Sequence, residues 1–251
     1  MRDGNEDRFV IREDGGLVLM AVADGVGGGP GGEIAAEAAV NELAGRFFAA
    51  PRTQPIAERL GDAMREANTA VLKAAEASSK PSAATTLVAG VVDGRSLVIA
   101  NLGDSRAYLV RDGASRQITE DHAGTVEHGI TRFVGDSRGV QADVFMEELR
   151  AGDRLVLCSD GLTRHVEPAE IASALDPHAG SLEAGADALV ALANARGGED
   201  NVTVVLYEAR GARVSDRQRS TLALGIFVAF VVLVVAGAFA VLFSVAPYAS
   251  P

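Results

Sequence analysis

The side chains that could do chemistry in this chain are acids placed where apolar runs stop. Asp24 follows "LVLMAVA", Asp104 closes "SLVIANLG", Asp160 follows "RLVLCS", and Asp200 stands shortly before "VTVVLYE". Asn5, Glu6 and Asp7 lead into the first strand-like run, "RFVIRE". Asp-Gly between two apolar runs usually marks a tight hairpin turn. That suits Asp14-Gly15, Asp93-Gly94 and Asp112-Gly113, which have strand-like sequence on both sides. Asp24-Gly25 is different, because a glycine loop and an Ala/Glu-rich helical pattern follow it.

In an antiparallel pair the start of one strand lies beside the end of the other. The turn at Asp14-Gly15 therefore carries Glu6 and Asp7 to the edge where Asp24 sits. Asp160 meets Asp200 in the same way if their two strands pair antiparallel, and Asp104 ends its strand similarly. Taken singly, each acid is an ordinary cap, turn residue or solvated charge. Their recurrence at strand ends is what points to a shared rim. Crowded carboxylates raise one another's pKa, and a hard divalent cation removes that penalty. Oxygen-only ligands suit Mg2+ or Mn2+ rather than zinc or copper. Glycine beside the acids lets the backbone approach an ion closely. Two such ions a few Å apart can share a hydroxide and clamp an in-line attack on phosphorus.

The elements that must position these acids alternate in blocks. "RFVIRE" and "LVLMAVA" form a hairpin. Helices follow from about Glu33 to Phe48 and from about Ile56 to Ala77, the second with Ile56, Leu60, Met64, Ala67 and Val71 at helical spacing. "TTLVAGVV", "SLVIANLG", "AYLVRD" and "RQITE" read as strands, and His122 to Gln141 as a loop or flap. "RLVLCS", helices near Pro168 to Leu175 and Leu182 to Arg196, and "VTVVLYE" complete the domain. Helix pairs separated by groups of antiparallel strands predict an α+β domain of two packed sheets covered by helices.

Composition narrows the partners. The chain has 251 residues, 48% hydrophobic, enough for one domain with a full core. A net charge of -11 argues against a nucleic-acid partner. Cys158 is the single cysteine, which excludes an intrachain disulfide and Cys-based zinc sites; inside "RLVLCSD" it reads as a small buried hydrophobe. "MRDGNEDRF" is not a secretory signal. Leu222 to Ala246 carries no charge and is long enough to cross a bilayer, with Arg210, Arg213, Arg217 and Arg219 before it. That asymmetry places the preceding domain in the cytoplasm. The expected organisation is a catalytic domain over 1–209, a basic juxtamembrane linker over 210–220, a transmembrane helix over 221–247 and a short extracytoplasmic tail over 248–251.

"RDGNED", "ADGVGG…GGE", "TTL", "GDSRAYLVRDG", "DH", "CSDGL" and "EDNVTVV" occur in the order found in metal-dependent protein serine/threonine phosphatases of type 2C, and the chain resembles that family from Arg2 to Tyr207. The resemblance implies a four-layer αββα sandwich, two antiparallel sheets flanked by helix pairs, with a binuclear Mn2+ or Mg2+ centre at one end. By position, Asp24 would bridge both metals and Gly25 would offer its carbonyl. Glu6 would hold one metal side, Asp160 and Asp200 the other, and Asp7 would orient metal-bound water. Asp104, with Asp160, would hold a weaker third metal. Arg2 would grip the substrate phosphate. Where some relatives carry a histidine able to protonate the leaving group, this chain has Val26. His122, His128 and His165 read as ordinary loop or surface histidines.

The expected function is hydrolysis of phosphoserine and phosphothreonine on cytoplasmic proteins, opposing Ser/Thr kinases. The expected partners are phosphorylated proteins, a kinase and its substrates among them, and the lipid bilayer, with the catalytic domain a monomer. Two alternatives keep the fold: a regulatory phosphatase for one small phosphoprotein, and a silent scaffold that docks a kinase at the membrane. A nucleotide-binding loop at Gly25 to Gly32 lacks the Gly-Lys-Ser/Thr ending of a P-loop.

Overall fold

The computed structural model describes residues 4–26, 30–124 and 129–210. The expected transmembrane segment and most of the expected basic linker lie outside the described residues. Among the described residues no helix is long and apolar enough to cross a membrane.

Two antiparallel sheets form the centre. The five-stranded sheet has the order β1 (Arg8–Asp14), β2 (Leu17–Ala23), β5 (Leu87–Asp93), β6 (Ser96–Leu102) and β9 (Asp143–Glu148). The four-stranded sheet has the order β11 (Val204–Glu208), β10 (Arg154–Cys158), β7 (Arg106–Arg111) and β8 (Ala114–Gln117). A short ribbon pairs β3 (Gly25–Val26) with β4 (Ala84–Thr85). Helices α1 (Pro30–Ala49) and α2 (Ile56–Ala77) pack on each other over the larger sheet. Helices α4 (Pro168–Leu175) and α5 (Leu182–Ala195) cover the smaller one, and α3 (Asp160–Thr163) is a single turn.

Strand alternation divides the apolar residues among three layers. On β2, Leu17, Leu19, Ala21 and Ala23 face α1 and α2, while Val18, Met20 and Val22 enter the space between the sheets. On β10, Leu155 and Leu157 enter the same space, and Val156 and Cys158 face α4 and α5. Cys158 is fully buried, as its run suggests, and burial pushes its thiol up to about 12. The result is the layering expected from the sequence: helices, sheet, sheet, helices.

The expected turns are present, two of them shifted by one residue: Asp93 pairs with Ser96, leaving Gly94 and Arg95 at the centre of that hairpin. Asp14 pairs with Leu17, so the central residues of the first hairpin are Gly15 and Gly16, at φ +56° and +83°. Both sit in the left-handed region that glycine enters without strain. Helix α2 has the predicted bounds, and its buried stripe includes Leu60, Met64, Ala67 and Val71. Several short elements were not read from the sequence, among them β3, β9 and α3. β9 is an edge strand in which Val144 and Met146 are 41% and 74% exposed, so acidic residues interrupt any simple apolar alternation.

Candidate metal centre

The antiparallel pairings gather the acids at one end of the sandwich. Arg8 stands opposite Ala23 in the β1–β2 pair, which sets Glu6 and Asp7 beside Asp24. Cys158 stands opposite Val204, and Ser159 N–H donates to Thr203 O at 3.1 Å, so Asp160 and Asp200 leave the smaller sheet at the same edge. Asp104 follows β6 through Gly103, whose φ of +113° turns the chain. A Cβ at Gly103 would stand 2.7 Å from the Thr86 side chain, so only glycine fits.

Hydroxyl and amide groups hold these acids in place. Asp24 N–H donates to Thr86 Oγ1 at 3.0 Å, and the Asp24 carbonyl accepts Thr85 Oγ1 at 2.8 Å and Thr86 N–H at 2.9 Å. Ser159 Oγ donates to Asp7 Oδ2 at 2.7 Å and accepts Thr203 N–H at 3.0 Å. Asn201 Oδ1 accepts Glu6 N–H at 3.0 Å, and its Nδ2 donates to Gly4 O at 3.3 Å. Gly4 and Glu6 are thereby fastened to the loop that carries Asp200. The glycines permit close approach: a Cβ at Gly25 would stand 2.5 Å from the Gly32 carbonyl carbon, and one at Gly161 would stand 2.0 Å from Asn201 O.

The electrostatics are those of an unneutralised acid cluster. Burial, then the nearby charges of Asp7, Asp160 and Asp200, holds Asp24 well above the ordinary carboxylate range. Burial also raises Asp7 to about 6, with Asp200 and Asp160 adding to it against hydrogen bonds from Ser159 and Thr203. Asp104 reaches about 6 through burial and the charge of Asp160. Asp7 Oδ1 and Asp160 Oδ1 are buried without a hydrogen-bond partner.

Such oxygens fit hard divalent cations, which would take up both the missing contacts and the excess charge. Glu6, Asp24, Gly25, Asp160 and Asp200 would hold the ions, with Asp7 beside them and Asp104 at the margin. Among the described residues no three His, Cys, Asp or Glu side chains already stand as a ligand set. Instead, Arg164 Nε and Nη2 both contact Asp160 Oδ2, the former at 2.9 Å, while Nη1 lies 3.5 Å from Asp200 Oδ2. The sequence reading missed Arg164, and also the hydroxyls of Thr85, Thr86, Ser159 and Thr203. The "TTL" and "CSDGL" motifs contain three of those four hydroxyls, so the signal was present without its reason.

Arg2 and His128 lie outside the described residues. His122 is not the exposed loop histidine expected: it is 7% exposed, and its Nδ1 accepts Gly103 N–H at 3.0 Å. Nε2 lies 2.9 Å from both Asp143 Oδ2 and Arg132 Nη1. Both ring nitrogens are committed, so His122 is no general acid; it braces the turn that presents Asp104. Asp121 beside it is gripped by Arg106, with Nε to Oδ1 at 2.9 Å and Nη2 to Oδ2 at 2.7 Å.

This is a layered α+β fold whose gathered donors are oxygens with no thiol among them, a set that suits hard divalent cations. The sequence pattern described as protein phosphatase 2C matches residues 3–194. A serine/threonine phosphatase of Listeria innocua is 34% identical over 231 residues, covering 83% of this chain and 91% of that protein. PstP of Mycobacterium tuberculosis is 34% identical over 235 residues, 80% of this chain and 45% of that protein. The structure of the PstP catalytic domain with two manganese ions superposes with a TM-score of 0.69 at 35% identity, covering 82% of this chain and 91% of that one. The Streptococcus agalactiae serine/threonine phosphatase superposes at 0.75 with 29% identity, covering 82% and 93%. The chain belongs to the protein phosphatase 2C family. It is a serine/threonine protein phosphatase with a Mn2+ or Mg2+ cofactor, as the motifs implied.

Proposed function

We propose that this enzyme removes phosphate from phosphoserine and phosphothreonine on cytoplasmic proteins and so opposes Ser/Thr kinases at a membrane. The observation that carries the chemistry is the convergence of Asp7, Asp24, Asp160 and Asp200 in a buried rim whose charge nothing fully neutralises. Divalent cations, when bound, supply Lewis acidity and a water acidic enough to lose its proton near neutral pH. The chain's own residues do the rest. Asp24 and Asp160 would hold the ions by charge, and Asp7, fixed by Ser159 Oγ, would orient a water through its other oxygen. Arg2 would take the phosphate in a bidentate contact, the geometry a guanidinium offers. Val26 offers no proton to the leaving seryl oxygen, so a water or another group must supply it.

The domains follow the same proposal: a catalytic unit over 1–209 with Asp104 holding a weaker third ion, a basic linker over 210–220 and a membrane helix over 221–247. Four arginines before an uncharged segment favour a cytoplasmic catalytic domain. The test is hydrolysis of p-nitrophenyl phosphate by the full chain in detergent and by residues 1–209, each with and without Mn2+, alongside fractionation of cells expressing both. Both forms should turn over only with Mn2+, and only the full chain should sediment with membranes. A folded protein that binds Mn2+ but turns nothing over would make it a scaffold. A full chain in the soluble fraction would remove the tether.

A further inference from the structure

We propose that Arg164 is an exchangeable counter-ion for the metal ligands and that it sets the affinity of this site for its cations. The inference rests on the metal-centre reading and concerns a residue that reading does not use. Helix α3 is one turn long, so position 164 falls four residues after Asp160 and on the same face. The Arg164 backbone N–H donates to Asp160 O at 2.9 Å, which fixes the main chain independently of the side chain. The guanidinium lays two nitrogens against one oxygen, Asp160 Oδ2, and a third near Asp200 Oδ2 at 3.5 Å. These are two of the carboxylates that the cations need.

The contact differs from the arginine pairs that build the fold. Arg106 grips both oxygens of Asp121 and also reaches Tyr108 Oη, a closed arrangement with a forked fit. Arg164 leaves Asp160 Oδ1 buried without a partner. Its side chain is 33% exposed, so it can swing into water by rotating its own torsions. Burial works against its charge, but Asp160, then Asp200 and Asp24, outweigh that and raise its pKa. One positive charge thus stands in the field of several carboxylates. A divalent cation arriving at Asp160 and Asp200 supplies more charge to the same oxygens and repels the guanidinium. Occupancy by Arg164 and occupancy by metal are therefore linked with opposite sign, and each weakens the other.

The experiment is calorimetric titration of Mn2+ into the full chain and its Arg164→Met and Arg164→Lys variants, with thermal midpoints in EDTA and in saturating Mn2+. Arg164→Met keeps length and loses charge, so its Kd for Mn2+ should fall about tenfold, within the usual range for linked sites. Its midpoint should drop in EDTA and recover in Mn2+, because the counter-ion is needed only when the cations are absent. Arg164→Lys should lie between the two. A Kd for Arg164→Met that is unchanged or weaker would overturn the inference, as would a midpoint lowered equally with and without Mn2+, which marks a merely structural arginine. If Met is not tolerated, Arg164→Gln is read by the same titration. Wild-type protein that binds no Mn2+ would remove the metal centre itself, a separate failure visible in the first titration.

Discussion

Strand β10 carries an acid at each of its ends, and the two live in opposite circumstances. Asp153 precedes it, its side chain 3% exposed, and accepts Arg111 Nε at 2.9 Å and Arg150 N–H at 2.6 Å. Burial alone would raise its pKa, yet the hydrogen bonds from Arg111 and Arg150 outweigh that and hold it below the ordinary range. Asp160 follows the strand and shares its rim with Asp7, Asp24 and Asp104, whose pKa values are all pushed up. One strand of five residues thus joins a satisfied acid to an unsatisfied group of acids. The first is architecture: its charge is matched within the fold. The second is left for something from outside to match, and that is the physical mark of the site.

The largest expected effect breaks the unsatisfied end. Asp160→Asn removes a ligand charge at a sheet edge rather than in the core. Partners that only orient metal ligands already cost about 10–100-fold when lost, so a ligand should cost more than about 100-fold in Mn2+-dependent kcat. Circular dichroism should remain that of the wild type. Near-normal turnover would undo the assignment of Asp160.

At the satisfied end the consequence should fall on stability instead. Asp153→Asn leaves Arg111 facing a neutral group, and losing a charged hydrogen-bond partner costs on the order of 1–3 kcal/mol. Urea unfolding in EDTA should show that loss, while the specific activity of the folded fraction stays near wild type. A comparable loss of activity per folded molecule would mean that the two ends are not independent.

The pH dependence separates the two kinds of acid by sign. Asp7 stands at about 6 when folded, against an ordinary value of 3.8, so folding favours its protonated form. Its contribution to stability is fully present below about 4 and is lost as pH rises through about 6. Asp153 is held low and contributes in the opposite sense, keeping its stability above the ordinary carboxylate range and losing it on acidification. In EDTA, Asp7→Asn should match wild type near pH 4 and become more stable than it by on the order of 1–3 kcal/mol above pH 6. Denaturant melts at the two pH values measure this. A variant less stable by the same amount at both would mean that the Ser159 hydrogen bond, not charge crowding, dominates at Asp7.

What could be read from the sequence tracks this division. Asp24, Asp104 and Asp160 were legible because each closes an apolar run and Asp200 because it stands just before one; a strand end is a one-dimensional signal. Glu6 and Asp7 needed one further step, the hairpin register, which the β1–β2 pairing bears out. Arg164 was not legible: it contacts Asp160 only because "DGLT" forms one helical turn, and that turn leaves no periodic pattern. Nor was the Asn201 contact with Glu6, which joins residues 195 apart and depends on both sheets being assembled. β9 escaped because an edge strand with a solvated face has no need of apolar alternation.

The smallest expected effect tests the margin of the unsatisfied end, at Asp104. This acid is pushed to about 6 by burial and by Asp160, while Arg164 partly offsets the push. Its turn is fixed independently of its side chain, through Gly103 N–H to His122 Nδ1 and Gly103 O accepting His122 N–H at 3.0 Å. Asp104→Ala should therefore leave the backbone and the two main cation positions intact. What it removes is one carboxylate facing Asp160, the arrangement that would hold an additional, weaker ion. Turnover should fall about tenfold, equivalent to about 1.4 kcal/mol in the barrier. Calorimetric titration should lose its weakest Mn2+ binding event while the tighter ones remain. Because His122 braces the same turn, His122→Ala should lower turnover in the same direction, and His122→Asn, which can still accept from Gly103 N–H, should restore part of it. Loss of the tight binding events in Asp104→Ala would move Asp104 from the margin into the main ligand set. An unchanged titration with unchanged turnover would make it a surface acid, closer in kind to a solvated charge than to its neighbours on the rim.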